Sequence, residues 1–552
     1  MFWMKQEEKN RRAEEKLAGR NPVPNFMGGT SYRWNALDTL KMVTASSIFG
    51  EPAYYRDGHH SDMRIKDGLM KEDPLFADYV VSALKKFDGL NTSEVMEMAI
   101  DDALDFDFRS TLEWAVTLRK DYYMRLNPQV ILVRAAIHPG RQAFTEANPG
   151  FFGEIEKQVM RRADEPASQL LYYLFRNGSK HNLPSILKRS WAKRIEEMSR
   201  YDIYKYRNSA VGLIDTVRIC HAKGELIDEL MKTGTVAVED EEKTWETMRS
   251  NGASWAEILN TIHIGHMALL RNLRGIFTEL SARDQTNTIL EQLKAGVPGG
   301  KQFPFRYYSA YQAVKNDKNV YHQQMILDAL EECIDIACDN MPKLKGRTIC
   351  LSDNSGSAWG AVTSEYGTVT VAVIDNLSSV ITARNSDEGI VGKFGDKLFL
   401  TDISKRNGVL KQAEMISGRK YDDVGGATEC GIWLFFDQAI KNKDVYDHIF
   451  IYSDMQAGHG GLYGTREETE KYSAAGYSCR GNHIDVSKLI SDYRKTVNPK
   501  VNVFSVQTAG YDNVVIPENG YRTALLYGWT GKELLYADTI NKFWDSKDAG
   551  SN

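Results

Sequence analysis

A long helical array followed by an open α/β sheet is the architecture this chain predicts, and three observations predict it. The chain has 552 residues, more than one hydrophobic core usually supports, so at least two domains are expected. From about residue 35 to 342 apolar positions recur at helical spacing, broken only briefly at Gly, Pro or Asn. Beyond the polar linker Lys343–Arg347 the pattern changes to short β-rich runs alternating with helical ones, the signature of βαβ units. The fold class is therefore multidomain, mainly α plus α/β. The expected layout is an N-terminal arm over 1–34, a helical domain over 35–343, an α/β domain over 344–545 and a tail over 546–552.

In the helical part, Ile100, Leu104, Phe108, Leu112 and Val116 recur every four residues, and Leu187, Trp191, Ile195 and Met198 form a second stripe. Each stripe gives a helix one face to bury. Successive amphipathic helices on this scale suggest helical hairpins stacked as an α-solenoid, although no repeat of fixed period stands out.

In the α/β part, Arg347–Ser352, Asp447–Ser453 and Lys500–Val506 read as buried strands, whereas Thr428–Ile440, Val486–Val497 and Gly531–Phe543 read as helices. The implied sheet is open, largely parallel and covered by helices on both faces. The glycine-rich stretch Gly458–Gly464 lacks the strand-turn-helix setting of a nucleotide loop and reads as a surface loop.

Composition narrows the function classes. No run approaches the roughly 18 apolar residues of a membrane helix, and Met1–Lys9 lacks a signal-peptide core, so a cytoplasmic protein without a membrane partner is expected. Six cysteines without a C-x-x-C pair argue against zinc knuckles and a disulfide framework. The net charge of −5 conceals a basic segment: residues 161–220 carry twelve Lys/Arg against six Asp/Glu. Such a segment suits a polyanionic partner or a solvated helix face, and charge alone does not decide between them.

Candidate site residues gather where strands end. Ligands of open α/β sheets collect at the carboxyl ends of strands, and here Asp353-x-Ser355-x-Ser357, Thr428 and Asp454 each follow or face such an end. One loop supplies a carboxylate and two hydroxyls, and two distant oxygens complete a set suited to a hard divalent cation, Mg²⁺ being the natural choice. An open coordination position would accept an acidic group from a protein partner. Helix capping accounts for Asp353 and Ser355 but for neither Thr428 nor Asp454. The trio resembles the metal-ion-dependent adhesion site (MIDAS) of von Willebrand factor A domains.

Within the basic segment, Arg189 and Lys193 share a helix face opposite the apolar stripe, and Lys193 can pair with Glu197. Arg161, Arg162, Lys180, Lys188, Arg194 and Arg200 have fewer obvious partners. Tyr204-Lys205-Tyr206-Arg207 interleaves rings that stack on bases with cations that meet phosphates. Arg218 and His221 follow; a lone His is more often a packed residue than a contact, but this basic setting favours RNA.

Four stretches, Val133–Arg141, Leu213–His221, Met267–Arg274 and Phe303–Tyr308, resemble the TROVE module of the Ro ribonucleoprotein autoantigen family, which joins that module to a C-terminal von Willebrand A domain. The likeness points to a bacterial or phage member. It implies a ring-shaped α-solenoid of HEAT-like repeats, closed by a Rossmann-like A domain around a basic hole. It also implies a Y RNA on the outer basic surface, and single-stranded ends of misfolded or decaying noncoding RNA in the hole, in support of RNA quality control. In bacterial relatives a Y RNA tethers the ring to polynucleotide phosphorylase. By the resemblance His221 matches a Y RNA contact and Lys205 and Arg207 fall in the basic stretch upstream. Arg134, His138, Arg141, Arg271 and Arg274 are expected at the hole from charge and motif proximity.

The expected protein is thus a non-enzymatic RNA scaffold. Its rival is a metal-dependent protein-binding adaptor acting through the A domain. A nuclease is disfavoured, because a single metal held largely by hydroxyls lacks the general base or second carboxylate-rich metal of hydrolytic phosphoryl chemistry.

Overall fold

The computed structural model describes residues 92–177, 182–207, 212–237, 244–360, 370–418, 424–425, 430–453, 486–508, 522–527 and 533–549, with a few positions before residue 45. The chain divides into two compact units, one of residues 36–44 and 93–264, the other of 1–35, 45–92 and 265–552.

Among the described residues of the first unit the regular secondary structure is all helical. Its helices are α1 (Thr92–Phe106), α2 (Phe108–Lys120), α3 (Leu126–Ile137), α4 (Arg141–Ala147), α5 (Phe151–Val159), α6 (Glu165–Asn177), α7 (Ser185–Glu196), α8 (Arg200–Tyr206), α9 (Leu213–Cys220), α10 (Glu225–Thr233), α11 (Trp245–Ser250) and α12 (Trp255–Thr261). The four-residue stripe from Ile100 to Val116 does not belong to one helix. Asp107 accepts hydrogen bonds from the Ser110 backbone N–H (3.0 Å) and hydroxyl (2.7 Å), starting α2 afresh. Phe108 and Val116 are accordingly half-buried, whereas Ile100, Leu104 and Leu112 are buried. In the second stripe Leu187, Trp191 and Ile195 form one buried face of α7 and Met198 is buried just past its end; Trp191 Nε1 donates to Gln169 at 2.7 Å, which satisfies its one polar atom in the core.

The second unit includes a short antiparallel pair, Val23–Pro24 with Thr30–Ser31, and from residue 265 runs through helices α13 (His266–Glu279), α14 (Arg283–Gly300), α15 (Pro304–Lys315) and α16 (Gln323–Asp339) into a six-stranded sheet. Its strands are β1 (Leu344–Asp353), β2 (Ser386–Phe394), β3 (Leu398–Asp402), β4 (His448–Ser453), β5 (Asn502–Gln507) and β6 (Thr523–Tyr527), in the order β3-β2-β1-β4-β5-β6. All neighbours run parallel except β2 and β3, so the sheet is mixed, with one antiparallel edge. The remaining helices are α17 (Gly356–Gly360), α18 (Val371–Arg384), α19 (Val409–Ser417), α20 (Cys430–Asn442), α21 (Val486–Thr496) and α22 (Glu533–Ala549).

Every residue from Thr348 to Asp353 and from His448 to Ser453 is buried. Side chains alternate between faces along a strand, so both faces of the sheet centre are covered. α18 packs on β1, β2 and β4. At Gly389 on β2 an added Cβ would strike the Ala383 carbonyl at the end of α18, so only glycine permits this approach. The linker expected at Lys343–Arg347 is mostly the start of β1, with irregular pairing to β2 between Leu344 and Arg347. Cys220, Cys333, Cys338 and Cys350 are buried free thiols, and burial pushes Cys333 and Cys338 up to about 12. They act as packing residues. Cys430 begins α20, while Cys479 and the Gly458–Gly464 loop lie outside the described residues.

Candidate nucleic-acid interface and strand-end loop

The aromatic and basic residues around α8 are brought together as the sequence suggests. Ser199 and Asp202 cap the helix reciprocally, Asp202 N–H donating to Ser199 Oγ at 3.1 Å and Ser199 N–H to Asp202 at 3.3 Å. Buried Ile203 anchors its inner side. Lys205 Nζ then lies 5.7 Å from the ring centres of both Tyr201 and Tyr206, and the Arg207 guanidinium carbon stands 3.9 Å from the Tyr204 ring. Tyr201 was not among the residues singled out from sequence; its position four residues before Lys205, on one helix face, was the available signal. Among the described residues the ion pair of Lys205 is a loose one, 3.8 Å to Glu246.

Arg207 O accepts from Leu213 N–H at 3.2 Å, which ties α8 to the start of α9. Arg218 and His221 occupy the far end of that helix. Arg218 is exposed and 3.6 Å from Asp215. His221 is exposed and holds a left-handed conformation (φ 60°), its N–H closing the helix onto Val217 O at 2.7 Å.

The residues expected at the hole divide between the two units. Arg134, His138 and Arg141 lie in the first, Arg271 and Arg274 on α13 in the second. Arg134 is committed to Asp101, Nε donating at 2.9 Å, and His138 Nε2 sits 3.3 Å from Asp105 while Nδ1 accepts from Gly140 N–H at 3.1 Å. Arg134 is thus paired with one carboxylate of α1, and the His138 ring lies beside another. Arg274 has a long 3.8 Å pair with Asp317, and Arg271 is exposed. Arg141 lines a hollow together with Arg189.

Other cations of the basic segment find partners that sequence spacing did not indicate. Glu197 pairs with Arg194 (3.6 Å), not with Lys193. Arg200 reaches Glu229 at 2.8 Å and the Ala237 carbonyl at 3.2 Å, and Arg162 reaches Asp164 and the Tyr206 hydroxyl, each at 3.2 Å. Lys180 lies outside the described residues.

At the end of β1, Asp353, Asn354 and Ser355 are completely buried. Asp353 Oδ1 accepts from Ser355 N–H at 2.9 Å and Oδ2 from Ser453 Oγ at 2.7 Å, joining the ends of β1 and β4. Beside it, Asn376 of α18 accepts from Ser352 Oγ (2.7 Å) and Asn354 Nδ2 (2.9 Å), and donates to Asn354 Oδ1 (2.9 Å) and Ser417 Oγ (3.0 Å). Asn376 was missed from sequence, although the pair Asp375-Asn376 interrupting an apolar helix was a signal. Ser357 belongs to α17 by its backbone, and Thr428 and Asp454 lie outside the described residues. The described part is a hard-oxygen set with a buried carboxylate, which fits a divalent cation in donor chemistry. Among the described residues no group of three or more His, Cys, Asp or Glu side chains is placed to hold a metal.

A helical array ahead of a mixed six-stranded α/β sheet defines the class, and residues 237–332 match the TROVE domain. The crystal structure of the Deinococcus radiodurans Ro (RSR) protein is similar, with a TM-score of 0.55 at 13% identity, over 79% of this chain and 92% of that one. At that identity the likeness is one of fold. No curated protein matches by sequence. The chain thus carries a TROVE-domain match in its helical part and shares its fold with that Ro protein. The matched stretch contains Arg271 and Arg274; Lys205, Arg207, Arg218 and His221 precede it. Among the described residues no helix is long and apolar enough to cross a membrane.

Proposed function

We propose that this chain is a Ro-like, non-catalytic RNA-binding scaffold that holds a Y RNA on an outer basic surface and takes single-stranded ends of misfolded or decaying RNA into a central hole. The observation that carries this reading is the α8 cluster, where Lys205 and Arg207 lie against Tyr201, Tyr204 and Tyr206 with one loose carboxylate partner between them. Cations supply phosphate affinity, and tyrosine rings supply stacking for unpaired bases. His221 and Arg218 extend the exposed basic surface. Arg271, Arg274 and Arg141 serve the threaded strand, and Arg134 and His138 hold the helices behind it. A tether through the RNA to polynucleotide phosphorylase, in the cytoplasm, would place the scaffold in RNA degradation.

The β1 loop would hold Mg²⁺ through Asp353, Ser355, Ser357, Thr428 and Asp454, and a bound ion would supply a Lewis-acidic anchor for an acidic protein ligand. Its role is a partner contact, so chelation leaves RNA affinity unchanged. Filter binding of a duplex with a single-stranded tail, at two salt concentrations, tests the reading. Affinity is expected to fall steeply with salt and to exceed that for the blunt duplex. Indifference to salt, or equal affinity for both RNAs, would refute it.

A further inference from the structure

We propose that the hollow lined by α4, α5 and α7 is a phosphate-monoester pocket, which takes the phosphorylated end of an RNA strand between Arg141 and Arg189. The proposal deepens the RNA-binding reading and rests on it for the source of the phosphate.

The hollow measures about 480 Å³, within the range of small-molecule sites. It is lined by two guanidinium side chains and by no Asp or Glu. Among the described residues neither Arg141 nor Arg189 has an ion-pair partner, in contrast to Arg134, Arg162, Arg194 and Arg200 in the same unit. Two guanidinium groups on one hollow without a carboxylate repel each other, and an anion bound there lowers that cost. Arg109, bonded to Asn148 on the rim and stacked 4.2 Å from the Phe151 ring, adds a third positive group, partly offset by Glu113.

The backbone around the hollow has the same polarity. α5 and α7 both begin on it without a side-chain cap, Gly150 and Pro184 standing at their N-cap positions. The first intrahelical bonds come from Glu154 N–H to Gly150 O and Lys188 N–H to Pro184 O. The preceding N–H groups of Gly153, Ser185 and Ile186, all lining residues, are thus left to other acceptors. A terminal phosphate carries close to two charges and three free oxygens, whereas an internal diester carries one charge and needs an open track on both sides. Two arginines in one hollow match the former. Phe152 is 2% exposed and offers no free face for a base, so recognition is directed to the phosphate itself.

Fluorescence titration of the full chain tests this with a short single-stranded RNA carrying a 5′-phosphate, a 3′-phosphate or neither, and with inorganic phosphate and a nucleoside monophosphate as competitors. The phosphorylated end is expected to bind on the order of tenfold more tightly. Arg189→Gln should abolish that preference without changing affinity for the unphosphorylated strand, and Arg189→Lys should restore part of it. Arg189 is exposed, so unchanged thermal melts of both variants show that folding is not the cause. RNA binding with no end preference would overturn the pocket's assignment and leave the RNA-binding reading standing. Arg189-dependent binding of the free nucleotide alone would assign the hollow to a soluble ligand and overturn the RNA-end role. Absence of RNA binding in every arm would refute both readings.

Discussion

Around the end of β1, Asp353, Asn354, Ser355 and Ser453 are fully buried and bond to one another or to α18. Around α8 and α9, Lys205 and Arg218 keep 33% and 63% of their side-chain surface exposed, with partners no closer than 3.6 Å. Both regions are polar, yet they obey different energetics. A buried polar network is stable only while every member is satisfied, because each orphaned group bears its full desolvation cost. Exposed cations contribute almost nothing to folding and remain available to a polyanion. The β1 loop thus combines structural with candidate metal-binding roles, whereas the α8 surface is separable from folding.

The strongest way to break that contrast is Asp353→Ala. It leaves Ser355 N–H and Ser453 Oγ without their acceptor and is expected to cost about 2–4 kcal/mol in urea denaturation. A loss below about 0.5 kcal/mol would show that the network is not structural.

A second test concerns a buried carboxyl within the helical unit itself. Glu156 on α5 is 1% exposed with Oε1 unpartnered, and burial raises its pKa to about 8, a hydrogen bond to Ser190 opposing the shift. The folded state therefore keeps a proton that the unfolded chain has released, so stability falls as pH rises from the ordinary carboxyl range to about 8. Glu156→Gln should remove this slope and raise stability at pH 8 by a few kcal/mol, read as the pH dependence of the melting temperature. A parallel slope in the variant would assign it elsewhere.

The smallest stability effects sharpen the surface side. Lys205→Ala and Arg207→Ala are expected to change stability by less than about 0.5 kcal/mol while lowering RNA affinity and reducing the salt slope by about one each. Arg134→Gln should do the reverse, losing about 1 kcal/mol with its Asp101 pair and leaving RNA affinity nearly unchanged.

How much was legible depended on whether a feature is local. β1, β4 and β5 are buried apolar runs and were readable within a few residues. β2 was not, because Asp387, Glu388 and three small or charged later positions dilute its pattern, and its strand state comes from pairing with β1. β3 is an edge strand that exposes Phe399 and Leu400, so alternation gave no guide. The helical stripe from Ile100 to Val116 was legible as amphipathic but not as two helices, since the break depends on one capping carboxylate.

By itself the sequence determined the succession of a helical array and an α/β sheet, the polar motif at a strand end and the aromatic-basic run of α8, because periodicity and short-range spacing are properties of neighbouring residues. Only the tertiary structure decided which cations have ion-pair partners among the described residues. Arg134 and Arg200 meet carboxylates far along the chain, whereas Arg141 and Arg189 share one hollow without any. Coulomb energies follow distance in space, and the fold alone sets those distances.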